Sequence, residues 1–196
     1  LFEFLTPTLL IDEQRLAPKG LGKNNNVTTD LQIEYAIQEK KYPLWGIAPC
    51  AIRYGRQWQY HEYGVADLAV KGYRDDGIIS PYVSFLALAT RPDQAIQNLR
   101  KTLAFFEDSY GEYGFYDSVD LQNKTVNQQY LVLDQGMSFV AAVNYLRNGI
   151  FRNYFHADPI GKAGEVLLNE EFSIGKKRPR QVVISKTKQN QKGAGQ

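Results

Sequence analysis

The sequence predicts a mostly α-helical fold. Apolar residues recur at helical spacing over Pro92 to Phe106 and over Gln135 to Arg147. Cap-plus-proline signatures stand at Ser80–Pro81 and Asp158–Pro159. No repeated strand–helix alternation occurs, which disfavours a parallel sheet.

Each element follows from local chemistry. Residues 1–10 are apolar and broken by Pro7. Residues 11–26, with Pro18, Gly20, Gly22 and the run Asn24 to Asn26, read as a loop. Thr28 to Lys41 reads as a helix, with Leu31 four before Tyr35, Ile33 four before Ile37, and Pro43 as its stop. Residues 44–79 are glycine-rich and loop-like, and so long a stretch inside a compact domain is usually functional. Ser80 caps a short apolar helix over Val83 to Leu88, with Pro81 at its first position. Pro92 opens the clearest helix, whose stripe is Ile96, Leu99, Leu103 and Phe106 and which ends near Gly111. Tyr113 to Lys124 reads as a loop or short hairpin. Gln135 to Arg147 is apolar on most sides, the mark of an inner helix. Ile160, Ala163 and Leu167 stripe the last helix.

Charge divides the 196-residue chain in two. Residues 176–196 carry seven basic residues and no acidic one. Taking those seven from the 23 basic residues leaves 16 against 21 acidic ones, a net of −5 over residues 1–175. An acidic body lacks the cationic surface that nucleic-acid binding requires, so no nucleic-acid partner is expected. The tail, polar and without periodicity, is expected to be disordered. About 175 residues suffice for one domain with a sizeable core. No run approaches the ~18 apolar residues of a membrane span. The start, LFEFLTPTLL, reads as the middle of a longer protein rather than as a signal peptide. The lone Cys50 excludes an internal disulfide framework.

Metal and cofactor chemistry find little support. His61 and His156 are far apart, and neither has a ligand partner three or four residues on. Gly20-Leu21-Gly22 lacks the strand and third glycine of a dinucleotide loop. No metal and no cofactor are expected.

Carboxylates in unusual company are the better signal. Glu3 interrupts an apolar run. Glu62 sits in Tyr60-His61-Glu62-Tyr63-Gly64. Glu112 and Asp117 bracket Tyr113-Gly114-Phe115-Tyr116. Asp134 follows Leu131-Val132-Leu133. Burying an acid among aromatics raises its pKa, which is how a general acid stays protonated near neutrality. Each acid could instead be a cap or an ion-pair partner, and Asp134 is well placed to cap the helix after it. The tyrosines that surround them have flat faces and hydroxyls suited either to a core edge or to a sugar cleft. Two carboxylates among aromatic platforms are the layout of glycoside hydrolysis.

Several phrases taken together resemble the glycoamylase-like domain family. They are Phe2-Glu3-Phe4-Leu5-Thr6-Pro7, Leu44-Trp45-Gly46-Ile47-Ala48-Pro49, and Gln59-Tyr60-His61-Glu62-Tyr63-Gly64-Val65 followed by Asp76-Gly77-Ile78-Ile79-Ser80-Pro81. Tyr110-Gly111-Glu112-Tyr113-Gly114-Phe115-Tyr116-Asp117 and Tyr130-Leu131-Val132-Leu133-Asp134-Gln135-Gly136-Met137 complete the set. In this order they cover Leu1 to about Phe172. The family includes glucoamylase-like proteins, β-1,2-glucanases and the transglycosylase region of cyclic β-1,2-glucan synthases.

The resemblance implies an all-α fold, the C-terminal portion of an (α/α)6 toroid spanning residues 1–175. The missing N-terminal half of the same polypeptide would be its partner. It implies a glycoside hydrolase-type domain acting on an oligo- or polysaccharide, a β-1,2-glucan or a related glucoside. The alternatives are a glucan transglycosylase or a non-catalytic carbohydrate-binding or assembly module. It marks Asp134 and Asp117 as the leading catalytic candidates, with Glu62 and Glu3 as further ones. It marks Trp45, Tyr60, Tyr63, Tyr113 and Tyr116 as cleft walls, and Gln135 as a hydrogen-bonding neighbour of Asp134. Two features depart from the pattern. Where many members carry an acid soon after Trp45-Gly46, this chain has Ala48-Pro49-Cys50-Ala51. Synthase-like members have Glu where Asp117 stands. The shorter Asp sets the carboxylate back by about one C–C bond, ~1.5 Å, which favours a water between it and the sugar.

Overall fold

The computed structural model describes residues 1–68 and 72–168, so the expected tail lies outside the described residues. Eight α-helices occur among them: α1 (Phe2–Leu5), α2 (Glu13–Leu16), α3 (Leu21–Glu34), α4 (Tyr82–Leu86), α5 (Pro92–Phe105), α6 (Val132–Leu146), α7 (Ile150–Ala157) and α8 (Pro159–Gly164). Seven short strands interrupt them. β1 (Cys50–Tyr54) and β2 (Gln57–His61) form a hairpin. β3 (Ile78–Ile79), β6 (Ser118–Asp120) and β7 (Thr125–Asn127) form a three-stranded sheet in the order β3-β6-β7. β4 (Tyr110–Gly111) pairs with β5 (Gly114–Phe115). The purely helical expectation is therefore corrected. The glycine-rich 44–79 stretch and the Tyr113–Lys124 stretch contribute antiparallel strands, and the described residues do not trace a closed ring of helix pairs.

Two further expectations change. Residues 11–26 are not a loop. Glu13 folds back and accepts a hydrogen bond from buried Asn25 at 2.5 Å, so the polar run Asn24 to Asn26 lies inside α3 instead of breaking it. Gly22 makes this possible, because a Cβ there would meet the Glu13 carbonyl at 2.7 Å. Helix α3 then passes into a π-turn over Tyr35–Glu39. Pro81 is the N-cap of α4 and not its first residue. Asp158 does cap α8, its Oδ1 accepting from the Ile160 N–H at 2.8 Å.

The core falls into two clusters. The larger centres on α4, with Val83, Leu86 and Ala87 against Leu5, Trp45, Ala95, Met137 and Ala141. The second lies under the three-stranded sheet, with Ile78, Ile79 and Val119 against Leu44, Ile47, Cys50 and Tyr63. The segment 44–50 joins them. Leu44, Ile47 and Cys50 enter the second cluster, while Trp45 and Ala48 enter the first. No strand pairs with this segment at Trp45 and Ile47, so two buried carboxamides satisfy its backbone. Asn98 accepts from the Trp45 N–H (3.2 Å) and donates to the Trp45 carbonyl (2.8 Å). Gln32 does the same at Ile47 (3.1 and 2.9 Å).

Helix α6 buries Asp134, Met137, Ala141 and Asn144 along one stripe. Its opposite side stays open, with Phe139 and Leu146 exposed. The inner-helix expectation thus holds for only one face among the described residues.

Candidate active site

The site lies where the two clusters meet. Asp117 precedes β6, and Asp134 occupies the first turn of α6. The N-cap there is Leu131 and makes no side-chain cap, so Asp134 is not the capping residue its position suggested. Instead its side chain turns inward and hydrogen-bonds Asp117. Asp117 is 3% exposed and Asp134 4%.

Donors are scarce around this pair. Asp117 Oδ2 accepts from the Ala51 N–H at 2.5 Å. Asp117 Oδ1 and Asp134 Oδ2 meet no donor among the protein atoms. One proton shared by the two carboxyls relieves both, because two adjacent buried carboxylates cannot both ionise. Burial pushes Asp134 up to about 8, and the hydrogen bond to Asp117 and its charge push the same way. Burial also raises Asp117, but the hydrogen bonds from Asp134 and the Ala51 amide oppose that rise. The opposing hydrogen bonds fall on Asp117, so Asp134 is the more strongly raised partner of the two.

A cavity of about 350 Å³ opens over the pair. Its walls include Tyr82, Phe85, Tyr110, Tyr113, Tyr116, Gln135 and Phe139. Gln135 Nε2 donates to the Phe115 carbonyl at 2.8 Å and so ties α6 to β5. The Tyr116 and Tyr130 rings stack 4.7 Å apart, tilted by 31°. Tyr113 meets Tyr130 edge-on at 5.4 Å. Gly111 lets these rings close, because a Cβ there would collide with the Tyr130 and Tyr116 hydroxyls. Tyr82 is buried and its hydroxyl donates to the Pro49 carbonyl at 3.0 Å. Burial raises its pKa well above the ordinary tyrosine value, and the charge of Asp134 adds to that rise.

The other candidates spread out. Tyr60 lies in β2, exposed as a residue, and its phenol is raised by partial loss of solvent around it and then by the charges of Asp134, Asp117, Cys50 and Glu62. Glu62 itself is exposed. Glu3, also exposed, lines a separate cavity of about 90 Å³ together with Tyr63. The ring of Phe2 beside it touches Tyr82 edge-on at 6.4 Å. Trp45, 4% exposed, is packed in the larger core cluster, and Tyr63 is packed in the second. Cys50 is buried, and burial with the nearby charges of Asp117 and Asp134 pushes its thiol up to about 12. A thiol so held is not a nucleophile. Sequence reasoning missed Tyr130, Phe85 and the Ala51 amide, and it held Tyr82 only as one of a tyrosine cluster that could form a core edge or a sugar cleft. Tyr82 and Phe85 sit in an apolar helix and look like core, and no side-chain pattern betrays a backbone donor. Among the described residues, no group of three or more His, Cys, Asp or Glu is placed to hold a metal ion.

The model of the glycoamylase family, described as "putative glucoamylase", matches residues 1–159. The chain belongs to this family. The cyclic β-(1,2)-glucan synthase NdvB of Rhizobium meliloti (strain 1021) is 31% identical over 207 residues, a match that takes in all of this chain and 7% of that protein. Among solved structures, the endo-β-1,2-glucanase of Chitinophaga pinensis, in complex with sophorotriose and glucose, superposes with a TM-score of 0.59 at 27% identity, covering 75% of this chain and 34% of that one. The β-1,2-glucanase of Parabacteroides distasonis shares the fold, with a TM-score of 0.66 at 23% identity, covering 82% of this chain and 23% of that one. This glycoamylase-family chain thus spans a small part of the length of the relatives it matches.

Proposed function

We propose that this chain is part of a glycoside-active domain that binds a β-linked glucan over the aromatic cavity and breaks a glycosidic bond with the help of Asp134. The observation that carries the reading is the donor-poor, buried Asp117–Asp134 pair at the wall of that cavity. Asp134 keeps its proton near neutral pH and gives it to the glycosidic oxygen as the bond to the anomeric carbon breaks. Asp117 stays charged and holds Asp134 in place; the proton leaves with the departing sugar, and Asp134 is reprotonated from solvent before the next turnover.

A hydrogen-bonded pair is closer than the ~5–9.5 Å that separates the two carboxyls of a flanking glycosidase pair. Asp117 and Asp134 therefore act from one side as a unit. The carboxylate on the other side comes from elsewhere, and Glu62, exposed and close enough to act on the Tyr60 phenol, is the candidate in this chain. It takes the proton of the attacking water in hydrolysis or of a sugar hydroxyl in transfer. The exposed Phe139 and Leu146 of α6 fit a domain whose remaining helices lie outside this chain.

The test is glucan cleavage by Asp134→Asn and Asp117→Asn in the complete protein, read as new reducing ends and as product length. Loss in both supports the pair. Unchanged cleavage in both removes it. Products longer than the substrate mark a transglycosylase. A binding module without chemistry is the second reading. It is favoured by Cys50 and Ala51, which lie beside the pair in the stretch where many members carry an acid. Glucan binding by calorimetry with no reducing ends released would favour it.

A further inference from the structure

We infer that one face of the β1–β2 hairpin continues the cavity as a strip for an extended glucan, with Trp58 stacking on a sugar unit beyond the one that Tyr60 serves. This rests on the glucan reading above. The register pairs Ala51 with Tyr60 and Arg53 with Trp58. Side chains of directly opposed residues share a face, and so do residues two apart along a strand. Ala51, Arg53, Tyr60 and Trp58 therefore lie on one face.

The inner end of the hairpin lies beside the carboxyl pair. The Ala51 N–H holds Asp117, and the Tyr60 phenol feels both aspartates. Two residues further out, about 7 Å along the strand, stands Trp58. The hairpin does not bury these rings: Tyr60 is 57% exposed and Trp58 42%. A two-stranded hairpin is marginal by itself, but this one is anchored. Ser118 Oγ donates to the Ala51 carbonyl at 2.8 Å. The Arg53 N–H donates to Asn127 Oδ1 at 3.0 Å, and Asn127 Nδ2 donates to Ser118 Oγ at 2.8 Å. The anchoring edge also carries the Asp117 contact, so the strip and the carboxyl pair keep a fixed mutual position. A flat ring with polar neighbours in a fixed line suits stacking on a pyranose face. Arg53 Nε is spent on the Gly55 carbonyl at 3.1 Å, which holds the guanidinium near the turn.

The chain has two tryptophans, and Trp45 is buried, so fluorescence changes on ligand addition report Trp58. The full chain is titrated with β-1,2-linked gluco-oligosaccharides of two units and of six to eight units. Expected for the wild type is a shifted emission and protection from acrylamide quenching with the long oligosaccharides but not with the disaccharide. Read by calorimetry, Trp58→Ala should bind the long oligosaccharides on the order of tenfold more weakly, while disaccharide binding is unchanged. Trp58→Phe should retain most of the affinity. Circular dichroism and melting confirm that the exposed substitutions leave the fold intact. Unchanged long-chain binding by Trp58→Ala, or an equal loss for long and short ligands, overturns the strip and leaves the glucan reading standing. A wild-type chain that binds neither ligand overturns both.

Discussion

Two buried aspartate sites in this molecule have opposite surroundings. Asp75, half-buried as a residue but with its side chain only 5% exposed, is saturated with donors. Its oxygens accept from the Tyr35 hydroxyl (3.0 Å), the Tyr42 hydroxyl (3.3 Å) and the Gly77 N–H (3.2 Å), and they pair with Lys40 (3.2 Å). Lys40 also lies over the Tyr35 ring at 5.2 Å. Asp117 and Asp134 are buried whole, yet Asp117 has a single amide donor and each leaves one oxygen without a protein donor. Burial alone therefore does not mark a functional carboxylate. A donor-rich acid ties the end of α3 to the 75–77 turn. A donor-poor pair retains a proton, and a retained proton is the raw material of acid catalysis.

This contrast can be broken by substitution. The largest effect is expected at Asp134→Asn, which should lower glucan turnover by roughly 10²–10⁴-fold with the fold retained, as read from reducing-end release and circular dichroism. The reverse pattern is expected at Asp75→Ala. It strands the Tyr35 and Tyr42 hydroxyls and Lys40, and should cost about 2 kcal/mol of stability while leaving turnover per folded molecule unchanged. Chemical denaturation paired with an activity assay separates the two sites. Equal losses of stability at both would erase the distinction.

A pH titration sharpens it. Asp134 is raised from 3.8 to about 8 in the folded state, so between those values the unfolded chain has lost a proton that the folded chain keeps. The stability that this proton contributes is complete below about pH 4 and is lost as pH rises through about 8. Denaturation midpoints should therefore fall over this window, and Asp134→Asn should flatten the fall. The smallest effect concerns Cys50. Its thiol, buried and pushed up to about 12, should resist iodoacetamide at pH 8 until denaturant is added. Rapid labelling of the native chain would mean that the wall beside Asp117 opens.

The helical part of the fold was largely legible. The helix after Pro92 became α5, though it ends at Phe105 and buries Ala95, Asn98 and Thr102 while Leu103 of the expected stripe is exposed, and Asp158 capped α8 as its position beside Pro159 indicated. The misread elements share a cause. Asn24 to Asn26 looked like a loop because asparagine usually competes with the helix backbone, but Asn25 found Glu13 and Asn26 found Gln14. The strands were too short to show alternation, at two to five residues each. Of the site, both aspartates were visible as acids among aromatics and glycines. Their contact was not, because it joins a residue before β6 to a residue in the first turn of α6.

What the chain by itself determined is therefore local. Stripe periodicity, proline position and capping set most of the helices, and the ordered phrases from Phe2 to Met137 indicated the family. Tertiary structure decided which polar groups find partners. It brought Ala51, Asp117 and Asp134 together, buried Trp45 and Tyr63, and left Tyr60 and Trp58 open to solvent. The physical reason is that a pKa and a binding face depend on neighbours and on exclusion of water, and both are properties of packing rather than of spacing along the chain.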